Sequence, residues 1–119
     1  MDVLHAALDV TDAEAMDGFY GEFLGLEEER FAEVDGDPNY WYGGSGPAEL
    51  QFRVVDEMDE PSGIHHLAIA AENIEDTVER AVDEWDSTVE IEPTEIADGV
   101  WIAFVTDPFG YTIELIEQE

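Results

Sequence analysis

The stretch GIHHLAIAA, residues 63–71, sits near the middle of the chain and repeats its beginning, MDVLHAALDV, residues 1–10. A displacement of 61 positions lays His66 on His5 and Ala68 on Ala7. Both stretches alternate as half-buried strands do, with successive side chains on opposite faces. In the first, Leu4, Ala6, Leu8 and Val10 point one way, and His5, Ala7 and Asp9 the other. In the second, His65, Leu67, Ile69 and Ala71 share one face, and His66, Ala68 and Ala70 the other. His66 therefore matches His5, while His65 belongs to the apolar face. In both strands the histidine is followed two residues later by an alanine, and small neighbours leave open space beside an imidazole.

The segments after each stretch repeat the same order of elements. Thr11 and Glu14 form a capping-box pattern, with Asp12 as an alternative cap, before a helix carrying Met16, Phe19, Tyr20 and Phe23 at helical spacing. Gly25 is placed to stop it. Strands are expected at residues 28–34, 39–43 and 48–55, with Asp35-Gly36-Asp37-Pro38 as a turn. On the last of these strands Leu50, Phe52 and Val54 share one face; Glu49, Gln51 and Arg53 share the other. In the second half Asn73 caps a helix with the stripe Ile74, Val78, Ala81, Val82 and Trp85. Strands come next at 88–96, where Pro93 implies an edge or a bend, then at 100–105 and 111–116. Asp107-Pro108-Phe109-Gly110 turns between the last two. The chain therefore reads as one α+β domain of two tandem βαβββ modules, 1–56 and 64–119, with 57–63 as the link. The two modules are expected to form a curved, mostly antiparallel sheet cup lined by the polar faces.

At 119 residues with 45% apolar side chains, the chain is long enough for one core. It has no cysteine, which excludes disulfides and thiolate chemistry. No apolar run is long enough to span a bilayer, and no basic-then-apolar leader precedes the first strand, so a soluble cytoplasmic protein with no membrane partner is expected. The charge is extreme: 32 acidic residues against three arginines and no lysine, a formal net charge of −29. So few cations exclude a nucleic-acid-binding role. The acids are scattered over every segment rather than gathered in a tail, which favours a surface suited to a salt-rich cytoplasm, as in extreme halophiles, over a nucleic-acid mimic.

His5 with Glu49 in one module, and His66 with Glu114 in the other, give an imidazole and a carboxylate on the same face of each. Such donors suit borderline and hard divalent metals, and with fewer than six protein ligands a position stays open for substrate. Taken singly these residues are unremarkable, since acids abound and a lone strand histidine is more often structural. Their recurrence in two copies of a unit is what singles them out.

The segments VLHAALDV, FLGL, AEL, GIHHLAIA and AFVTDPFGYTIELIE together resemble glyoxalase I and, more broadly, the vicinal-oxygen-chelate superfamily of glyoxalases, bleomycin-resistance proteins and dioxygenases. The resemblance covers nearly the whole chain, and DPFGYTIEL is its most specific piece. It implies one divalent metal per site (nickel, cobalt, zinc, manganese or iron) held by His5, Glu49, His66 and Glu114, often in a homodimer. It implies isomerisation of a hemithioacetal of a 2-oxoaldehyde such as methylglyoxal and a thiol to a 2-hydroxyacyl thioester through an enediolate, as in lactoylglutathione lyase. Glu114 is then the first choice as base and Glu49 the second acid–base group. Asp9, Gln51, Arg53 and Trp101 are candidate pocket residues. Glutathione-using relatives carry Arg where this chain has Asp9 and Asn where it has Arg53, a departure that bears on the thiol. A methylmalonyl-CoA epimerase-like racemase, an extradiol-type dioxygenase and a non-catalytic small-molecule-binding protein are the alternatives within the fold.

The acidic surface makes a prediction of its own. Unfolding monitored from dilute buffer to molar salt should show a strong gain in stability with salt, because screening shortens the range of self-repulsion. A flat response would refute the halophilic reading.

Overall fold

A computed structural model describes residues 4–61 and 64–118. Val3, expected to begin the first strand, and Gly63, the first residue of GIHHLAIAA, lie outside the described residues, as does Ser62 of the expected link. Contacts divide the chain into two compact units, Met1–Asp59 and Glu60–Glu119. Each is a βαβββ unit, and the α+β class is as expected.

In the first unit, β1 (His5–Val10) leads into α1 (Ala13–Met16), which continues as a π-helical stretch, Asp17–Phe23. The strands β2 (Glu27–Val34), β3 (Asp37–Gly43) and β4 (Glu49–Val54) come after it. The sheet order is β1-β4-β3-β2, with β1 parallel to β4 and the other pairs antiparallel. The N-cap is Asp12, whose side chain accepts from the Ala15 amide at 3.0 Å, so the alternative cap prevails over Thr11. Gly25 ends the helical segment in the left-handed region at φ +82°, where glycine costs little.

The π winding was not legible in the apolar spacing, and it has a local partner. Asp17 folds back over Gly21 and accepts the hydroxyl proton of Tyr42 from β3. A Cβ on Gly21 would stand 2.9 Å from Asp17 Oδ1, so only glycine leaves room for this contact. Burial, then the bond to Asp17, push the Tyr42 phenol well above its ordinary value near 10. The β2–β3 turn is tighter than expected: Asp35 (φ +52°) and Gly36 (φ +84°) make a two-residue hairpin, and Asp37 and Pro38 already belong to β3. Phe52 of β4 is fully buried, its ring 4.6 Å from Tyr20 and 5.6 Å from Tyr42. With Leu8, Val10, Met16 and Phe19 they form the core of this unit.

The second unit repeats the plan with β5 (Leu67–Ala70), α2 (Ile74–Trp85), β6 (Val89–Ala97), β7 (Val100–Thr106) and β8 (Thr112–Gln118) in the order β5-β8-β7-β6. Asn73 caps α2 by accepting from the Asp76 amide at 3.2 Å. Ile74, Val78 and Ala81 are buried as expected, but Val82 is 41% exposed because it turns to the outer flank of the helix. Pro93 lies in the edge strand β6, within the register shift between Ile91 and Thr94. The turn after β7 is built by Asp107, 5% exposed, whose Oδ1 accepts from the amides of Phe109 (2.9 Å) and Tyr111 (2.8 Å). Gly110 supplies the positive φ the turn needs. Among the described residues no helix is long and apolar enough to cross a membrane.

Two measurements check this packing. Phe52→Ala should lower stability by about 3–5 kcal/mol, the scale of a large buried aromatic removed from a well-packed site, read by denaturant unfolding in molar salt. The raised Tyr42 pKa means the folded state keeps a proton that the unfolded chain loses near pH 10. Its contribution is therefore full below pH 10 and lost as pH rises above it. Stability should fall less steeply between about pH 9 and about pH 11 in Tyr42→Phe than in wild type; equal slopes would contradict the assignment.

Candidate functional site

In the first unit the parallel pairing of β1 with β4 sets His5 level with Glu49, Ala7 with Gln51, and Asp9 with Arg53. Alternation buries Leu8, Val10 and Phe52 on the opposite face. The polar face is thus a row of cross-strand neighbours, and each member of β4 has a partner. Glu49 receives both terminal nitrogens of Arg30, Nη2 to Oε1 at 3.0 Å and Nη1 to Oε2 at 3.2 Å. Gln51 donates to Asn39 Oδ1 at 2.8 Å, and Asn39, 1% exposed, donates in turn to the Asp37 carbonyl at 3.0 Å. Arg53 pairs with Asp9 at 3.3 Å. The Arg30 guanidinium also lies over Trp41, 5.2 Å from the ring centroid.

In the second unit His66 stands just before β5, and its Nε2 is 3.1 Å from Glu114 Oε1 on β8. Phe104, directly opposite Glu114 on β7, packs its ring 5.3 Å from the His66 imidazole. His65, expected on the apolar side as a packed or edge residue, is not packed. It is exposed, with its Nδ1 2.8 Å from His66 Nδ1 and the two rings edge to face. Trp101 pairs with Glu117, three residues from the Phe104–Glu114 pair on each strand, so it occupies the other face of the sheet.

The two units are not in perfect step. Glu114 is level with Ala68, whereas Glu49 is level with His5. Because Ala68 matches Ala7 in the repeat, the register equivalent of Glu114 is Gln51 rather than Glu49. A two-residue offset keeps the side chain on the same face, so Glu49 and Glu114 still point to the histidine side of their sheets. Sequence reasoning missed Arg30 and Phe104. Phe104 carries a signal, since it alternates with the buried Ala103 and Val105; Arg30 carries none, because a β-bulge between Glu28 and Arg30 sets its direction.

Among the described residues no three histidine, aspartate or glutamate side chains gather as a metal cluster. Each unit supplies two donors, an imidazole and a carboxylate. Their chemistry fits a divalent ion of the borderline to hard kind. Within the second unit the carboxylate already faces the imidazole nitrogen, the arrangement that orients a histidine.

The sequence matches the family described as the Glyoxalase/Bleomycin resistance protein/Dioxygenase superfamily over residues 2–115, and the chain belongs to that family. It is 33% identical to the lactoylglutathione lyase of Haemophilus influenzae over 131 aligned positions, covering 100% of this chain and 94% of that one. The lactoylglutathione lyase of Escherichia coli O157:H7 is 32% identical with the same coverage. Among solved structures, a glyoxalase family protein from Enterococcus faecalis superposes with a TM-score of 0.74 at 28% identity, covering 98% of this chain and 97% of that one. The trypanothione-dependent glyoxalase I of Leishmania major gives 0.76 at 28% identity, over 99% and 87% of the two chains.

Proposed function

We propose that the protein is a metal-dependent glyoxalase I-like enzyme that isomerises the hemithioacetal of a 2-oxoaldehyde and a thiol to a 2-hydroxyacyl thioester. The observation that carries the reading is the His66–Glu114 pair at 3.1 Å, answered in the other unit by His5 level with Glu49. The likeness to lactoylglutathione lyases over the full chain supports it. The enzyme would act as a cytoplasmic homodimer.

His5 and His66 would bind a divalent ion through neutral ring nitrogens, with Glu49 and Glu114 as the carboxylate donors. When bound, the ion supplies Lewis-acid stabilisation of the negative charge that develops on the substrate oxygens. The reaction moves one proton between adjacent carbons and one between their oxygens, and nothing is added or lost. Glu114 takes the proton from the carbon bearing sulfur and hydroxyl, then returns it to the neighbouring carbonyl carbon. Glu49 serves the oxygen proton. The His66 imidazole, against which Phe104 packs, lies beside one Glu114 oxygen and orients the carboxylate.

The thiol is the open choice in substrate. Asp9 would repel the carboxylate that an arginine grips in glutathione-using relatives, and its pairing with Arg53 neutralises both. A second reading has one observation behind it: Gln51, not Glu49, is the register equivalent of Glu114, and methylmalonyl-CoA epimerase-like relatives place glutamine at the corresponding ligand position. Exchange of an acyl-CoA α-proton with solvent identifies that activity.

Metal-loaded protein in molar salt should consume methylglyoxal adducts, assayed against a panel of thiols, and Glu114→Gln should lower turnover by about 10²–10⁴-fold. Protein that binds the adducts yet turns over none of them would be a sequestering member of the fold, and the enzyme reading would fail.

A further inference from the structure

Arg30 is one of only three cations in a chain with 32 acids, and the use made of it is specific. It comes after Glu27, Glu28 and Glu29 in sequence, yet its guanidinium crosses β3 to reach Glu49 on β4. Three local features permit the crossing. The bulge between Glu28 and Arg30 redirects the side chain. Trp41, opposite Arg30 in the register, supports the guanidinium from below. Gly43, level with Glu49, keeps β3 bare at the crossing point, where a Cβ would stand 3.7 Å from Glu49 Cγ and 3.3 Å from Glu29 Oε1.

We infer that Arg30 is a latch on Glu49. Its fork holds both carboxylate oxygens while no metal is bound, and it yields at least one of them when a divalent ion takes Glu49 as a ligand. The inference rests on the proposed ligand role of Glu49. A bidentate fork takes the facing lone pair of each oxygen, so a metal ion arriving from that side must displace an N–H, and from either side it approaches a fixed positive charge. The pair is the right strength to be opened. The Arg30 side chain is 56% exposed and that of Glu49 20%, the range in which ion pairs are weak and exchange readily with water. Glu29 is the extra residue of the bulge, and its carboxylate, beside Gly43, offers the released guanidinium a second anion. Glu114 has no such restraint, since its partner is an imidazole. The two carboxylates therefore differ in what a metal must displace to reach them. Arg30 is a positioning residue that sets metal affinity, not a catalytic residue.

The test is Co²⁺ binding to the full chain in molar salt, by competition with a chelating dye and by the visible absorption of the bound ion. It compares wild type, Arg30→Gln, Arg30→Lys, Glu49→Gln and the double variant Arg30→Gln/Glu49→Gln. Arg30→Gln should bind Co²⁺ several-fold more tightly, on the order of five-fold, the equivalent of one half-exposed ion pair. Arg30→Lys should fall between, because a point charge cannot grip both oxygens. The gain should vanish in the Glu49→Gln background, which a general change in surface charge would not cause. Unchanged or weaker binding by Arg30→Gln, or an equal gain without Glu49, overturns the latch. A Glu49→Gln variant that binds Co²⁺ like wild type, or a wild type that binds none, strikes the ligand role itself. It is seen before Arg30 is altered, so the two failures are distinct.

Discussion

In each unit the first strand lies parallel to the last, β1 on β4 and β5 on β8, and the placing of His5, Glu49, His66 and Glu114 depends on that pairing. Parallel neighbours cannot be joined by a tight turn, so the chain must leave the sheet, and it does so through a helix that covers one face. The covered face takes the apolar alternates. The other face is left to whatever polar residues the two strands carry, and here those are histidine on one strand and glutamate on its neighbour. The level placing of His5 and Glu49 is thus a consequence of topology joined to a period of two, while in the second unit His66 meets Glu114 from one residue before β5.

Much of this was readable in the sequence because it depends on periodicity and short-range chemistry. The alternation in HAALDV places His5, Ala7 and Asp9 together whatever the register. Asn73 and the Asp107–Gly110 turn are recognisable because their side chains bond to backbone only a few residues away. Register is another matter. Nothing in the local pattern says that Glu114 stands opposite Ala68 while Glu49 stands opposite His5, since both arrangements leave the same faces polar. The face of Trp101 is set in the same way: it shares the side of the buried Ala103 and Val105, which only the pairing of β7 with β8 reveals. Arg30 was invisible because its direction comes from a bulge two strands away from its target.

Scarcity of cations sharpens what the few present mean. Each arginine is in an ion pair, Arg80 with Glu84 along one face of α2 and the other two with members of the polar row on the first sheet. The Arg80 pair is an exposed helical neighbour pair of the ordinary kind. Arg30 and Arg53 instead sit against Glu49 and Asp9, beside the residues on which the proposed chemistry depends. Positive charge on this face is therefore placed rather than distributed.

The irregularities of β2 and β6 bear on how such a protein stays dispersed. Both are outermost strands of their sheets, where unpaired backbone groups invite another chain to add itself. A highly acidic surface discourages that contact in dilute solution, but at molar ionic strength the reach of charge shrinks to about 3 Å. Repulsion then no longer protects an edge. A register shift in β2, several in β6 and Pro93 within β6 break the straight ladder that a second strand would need. Against edge-to-edge aggregation this is a steric defence that salt leaves intact.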